Sequence, residues 1–139
     1  MHTAAMVQIR IGEIAEVMGA ATVQKTPVEQ LRYIVEGALR NVYQRPEVYR
    51  FYLNLQTHPE DDEVLAAYSK LLNEESRKQF EVQCRIFEQL GVNEPRMRSL
   101  SFSSALQGAM LMMMTFKEGF PVEKVQEQMI RDYGSCEVD

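Results

Sequence analysis

The chain has 139 residues, enough for one domain spanning 1–139 that buries a core without disulfides or a metal. Hydrophobic residues make up 45% and charged residues 25%, a globular balance that excludes a wholly disordered chain. The net charge of −5 repels phosphate backbones and no basic patch offsets it, so this chain itself is expected to make no nucleic-acid contact.

From the N-terminus, Val7, Ile11, Ile14, Met18 and Ala21 step by four, three, four and three, which predicts a first helix over residues 6–20 with one apolar stripe. Thr26-Pro27-Val28-Glu29 joins a capping threonine, a proline at the first helical position and a glutamate three residues after the cap. A second helix starts there, carries Leu31, Ile34, Val35, Ala38, Leu39 and Val42, and stops at Arg45-Pro46. Pro46 and Glu47 open a short third helix to about Gln56, apolar on more than one side.

Thr57-His58-Pro59-Glu60 repeats the cap signature, and Glu60, Asp61, Asp62 and Glu63 place negative charge where a helix N-terminus favours it. With no breaker before Gly91, the fourth helix should run about 30 residues, or about 45 Å. Glu94-Pro95 begins a fifth helix to about Lys117, and Gly119-Phe120-Pro121 separates it from a short sixth helix that ends near Tyr133-Gly134. The expected fold is all-α, a helical bundle of about six helices.

Motifs for chemistry are sparse. His2 lies in a terminus and His58 inside a helix-cap turn, neither in an arrangement that suggests a catalytic triad, and no phosphate-binding glycine loop, metal-ligand array or nucleophile elbow occurs. Neither catalytic residues nor a metal or cofactor are expected. Cys84 and Cys136 lack metal-spaced partners, which fits a reducing cytoplasm, and no stretch approaches the ~20 apolar residues of a membrane span.

The fifth helix bears two stripes. Ser101, Ser104, Ala105, Gly108, Met112 and Thr115 are mostly small and permit close approach of another helix, while Phe102, Leu106, Ala109, Met113 and Phe116 suit the domain's own core. The small stripe, with Val122, Val125 and Met129 of the sixth helix, is the expected homodimer interface; a helix of the same chain could also occupy it. Tyr52, Phe80, Cys84, Phe87, Met110 and Met113 put aromatic and polarisable groups on three helices, and so form a candidate pocket for a small apolar or aromatic effector, although each residue also suits a plain core.

The segment Arg45-Pro46-Glu47-Val48-Tyr49-Arg50-Phe51-Tyr52, followed by a long acidic-capped helix and a final helical pair, resembles the C-terminal domain of tetracycline-repressor-like (TetR family) transcriptional regulators over residues 6–133. The resemblance implies an inducer pocket in each subunit and a four-helix bundle formed between two subunits by the last two helices. It also implies a DNA-binding helix-turn-helix head, which has no counterpart here; residues 6–20 resemble the helix that connects head to body. The implied function is effector sensing and homodimerisation in a repressor or related regulator. The alternatives are a helical protein-interaction module without a small-molecule ligand, and a small helical enzyme or carrier.

Overall fold

Seven of the eighteen residues of the second helix are buried, and that helix touches every other helix of the chain. The computed structural model describes residues 2–57 and 62–136. Among them are six helices, α1 (Thr3–Thr22), α2 (Pro27–Gln44), α3 (Pro46–Thr57), α4 (Glu63–Leu90), α5 (Pro95–Phe116) and α6 (Val122–Tyr133), with a 3₁₀ turn at Lys117–Gly119 and no strand. The all-α bundle read from the periodicity is the observed architecture. No helix among these residues is long and apolar enough to cross a membrane.

Local chemistry explains most boundaries. Thr26 Oγ1 accepts the Glu29 backbone N–H at 3.1 Å and its hydroxyl donates to Glu29 Oε1, so the two residues close the first turn of α2 together. Gly91 ends α4 at φ +80°, a left-handed conformation that costs an L side chain but not glycine. The Val92 N–H then returns to the Phe87 carbonyl and carries Val92 into the core.

The start of α4 differs from the expectation. Thr57 belongs to α3, where its hydroxyl donates to the Leu53 carbonyl at 2.8 Å. His58, Pro59, Glu60 and Asp61 lie outside the described residues. The cap is Asp62, whose Oδ1 accepts the N–H groups of Val64 and Leu65. The last helix is also short, 12 residues against 22 in α5, whereas the resemblance implies a long final pair.

α1 lies on α2, α3 and α4, and α5 lies on α2, α4 and α6. At the α1–α2 crossing a Cβ on buried Gly37 would sit 2.7 Å from Val17 Cγ2, so glycine sets how closely these helices approach. Gly37→Leu is therefore expected to lose about 1–3 kcal/mol by overpacking in spite of leucine's better helix propensity. Urea unfolding should show that deficit, and Val17→Ala in the same chain should recover part of it.

Candidate functional site: a polar cavity around a buried arginine

The apolar stripe of α1 carries two charges into the interior. Arg10 follows Val7 by three residues and precedes Ile14 by four, so it shares their face of the helix. Arg10 is 4% exposed and Glu13, one turn on, is 7% exposed. Arg10 Nη1 lies 3.4 Å from Glu13 Oε1, and Arg45 Nη1 lies 3.6 Å from Glu13 Oε2. Burial outweighs these cations and holds the Glu13 carboxyl above its ordinary 4.5, with nearby Glu47 pushing the same way.

Two tyrosines from α3 receive the guanidinium. Tyr49 and Tyr52 stack with ring centres 6.0 Å apart, and the Arg10 guanidinium lies 5.5 Å from the first ring and 4.8 Å from the second. The Tyr49 hydroxyl donates to Gln107 Oε1 at 2.7 Å, and burial pushes its pKa up to about 12 against the pull of Arg10, so it stays a neutral donor. The Tyr52 hydroxyl pairs with Ser76 Oγ at 3.3 Å.

Beside this stack lies a cavity of about 190 Å³ where α1, α3, α4 and α5 converge. Arg10 and Tyr52 form one side, Ser76, Gln79 and Phe80 come from α4, and Ser103, Leu106 and Gln107 come from α5. A void of about 20 Å³, the size of a single water, adjoins it through Arg10, Gln79, Leu106 and Gln107, and reaches Glu13.

The hydrogen-bonding capacity here is unevenly used. Gln83 of α4, fully buried, donates to Ser99 and Ser103 and accepts from Gln79, and Ser99 donates to the Phe80 carbonyl, a closed network that ties α4 to α5. Arg10 Nε and Glu13 Oε2, both buried, have no hydrogen-bond partner. An unsatisfied buried polar group costs about 1–3 kcal/mol, more when charged, so Arg10, whose side chain also lines the cavity, is incompletely matched in its own chain.

The structure distributes the six candidate ligand residues over several places. Tyr52 and Phe80 line the cavity. Cys84 and Phe87 are packed inside the core, Phe87 edge-on to Phe102 at 5.6 Å. Met110 lines the small void, and Met113 lines an open groove of about 400 Å³ among α2, α5 and α6. The expected convergence into one apolar pocket is thus replaced by a polar cavity built on Arg10, Ser76, Gln79, Ser103 and Gln107. The available signal was the charged pair set within the apolar stripe of α1. A further hollow of about 220 Å³ has Ala66, Lys70, Asn73, Glu74 and Arg77 as its lining among the described residues, all from α4.

The candidate interface residues also divide. Ser101, Ser104, Gly108 and Met112 lie exposed on α5 and Ala105 is half-buried. Met129, at 5% exposure, is core, and Val122 and Val125 pack against the core from the outside. α6 packs on α2 and α5, and Arg32 of α2 pairs with Glu127; Met129, expected to face a second subunit, is buried in its own chain. No group of three or more His, Cys, Asp or Glu side chains among the described residues could hold a metal ion.

Set beside known proteins, the chain matches no family model, no curated protein and no solved structure.

Proposed function

We propose that this helical domain senses a small effector and dimerises, in the manner of the C-terminal domain of a tetracycline-repressor-like regulator, with DNA read by a helix-turn-helix segment outside this sequence. The observation that carries the reading is the partly open cavity of about 190 Å³ with a buried arginine on its wall. A domain selected only for stability gains nothing from a buried charge beside an empty space. Arg10 belongs to α1, the helix that resembles the connector between head and body, so an effector bound to it would bias the position of that helix. A coupling of about 1–3 kcal/mol between effector and operator is the usual scale for such control.

The outer face of α5 supports the dimer. Met97, Leu100, Leu111, Met112 and Phe116 are between 46% and 58% exposed, in a row with the small residues Ser101, Ser104 and Gly108. A Cβ on Gly108 would meet no atom within 4 Å, so nothing in its own chain requires glycine there. Gly108→Arg is therefore expected to leave the helical content unchanged while converting dimer to monomer in sedimentation. The same exposed row supports the second reading, a module that docks a different protein; a wild-type chain that sediments as a monomer would favour it and remove the dimer.

A further inference from the structure

We propose that the cavity on Arg10 takes a small organic acid, a single-ring carboxylate, with the guanidinium as its anchor. This inference rests on the sensing reading above and specifies the ligand's chemistry. Among the described residues Arg10 is the one charged side chain lining the cavity, and it is almost wholly withdrawn from solvent. Glu13, which neutralises part of the guanidinium through Nη1, lines the smaller void and not the larger one. A carboxylate matches the planar donor fork of a guanidinium, and in dry surroundings such a pair is stronger than a bond between neutral groups.

The remaining lining sets the size and the body of the ligand. About 190 Å³ is room for about six waters and lies below the roughly 300 Å³ at which pockets for larger ligands begin, so one ring with an acid group is the scale. Phe80, Leu106 and the ring of Tyr52 offer apolar walls for that ring, while Ser76 and Gln79 offer side-chain polar groups to a substituent. A wholly apolar ligand would desolvate the charged side chain on the cavity wall without offering it an acceptor, which disfavours it.

The test uses the full chain with benzoate, 4-hydroxybenzoate and phenylacetate as probes, and benzamide and toluene as uncharged counterparts, in thermal-shift and calorimetric titrations. The acids should raise the melting temperature, with benzoate binding at least about tenfold more tightly than benzamide. Arg10→Met should weaken benzoate at least about tenfold. If that variant does not fold, Ser76→Trp, which fills the cavity from half-buried Ser76, should abolish benzoate binding while the chain stays helical. Toluene or benzamide binding as tightly as benzoate would overturn the acid inference and leave the sensing reading in place. Benzoate binding unchanged by Ser76→Trp would overturn its placement at Arg10. Binding of neither class would overturn both.

Discussion

Arg10→Met is expected to cost the fold about 3–5 kcal/mol at neutral pH, read as a fall in the urea midpoint. The substitution keeps an unbranched apolar stem among the tyrosines but removes the nearest cation of a carboxylate that is itself buried. Arg45, half-exposed and 3.6 Å from the other oxygen, is the cation that remains. The loss should depend on pH with a definite sign. Burial already holds Glu13 above 4.5 against the attraction of Arg10, and without Arg10 it rises further. Between 4.5 and the folded value the native chain binds more protons than the unfolded chain, so stability falls as pH rises through that window and is regained on acidification. The deficit of the variant should accordingly shrink as pH is lowered toward 4.5. Replacing both partners, Arg10→Met with Glu13→Leu, should return most of the lost stability, because the orphaned charge is then gone. A deficit below about 1 kcal/mol, flat with pH, would mean that water reaches the pair freely.

Phe87→Ala should be about as costly, about 3–5 kcal/mol, for a different reason. Its ring is wholly buried, meets Phe102 edge-on at 5.6 Å, and Phe102 in turn meets Tyr133 at 5.5 Å, so one aromatic chain joins α4, α5 and α6. Truncation removes the α4 end of that chain and leaves a hole that long, rigid helices close only in part. The urea midpoint should drop with an unchanged slope, and benzoate affinity of the folded fraction should stay as it was, since Phe87 does not line the Arg10 cavity. A cost under about 1 kcal/mol would show that space already exists beside the ring, and would restore Phe87 to a ligand pocket.

The number and order of the helices were written in local patterns. The Thr26–Glu29 cap, the prolines at 27, 46 and 95, and the glycine at 91 act on backbone groups within a turn of themselves, and their effect needs no distant partner. Apolar periodicity likewise marked the buried faces of α1 and α2, because facing the core is a property of helical spacing alone. The start of α4 lies later than the cap signature at Thr57 suggested, at Glu63, with Asp62 as the cap.

The site was decided by tertiary structure. An arginine at the margin of an apolar stripe ordinarily extends its charge to water, and only the arrival of Tyr49 and Tyr52 from α3 encloses Arg10. The fate of α6 was decided similarly: Val122, Val125 and Met129 are equally suited to a partner subunit or to their own chain, and the packing of α6 on α2 and α5 buries Met129 and half-buries the two valines. Tyr49 and Gln107, 58 residues apart, close the polar wall between α3 and α5. Helical spacing states which side chains share a face, but which other face they meet depends on the packing of all six helices at once, and that is the information a cavity is made of.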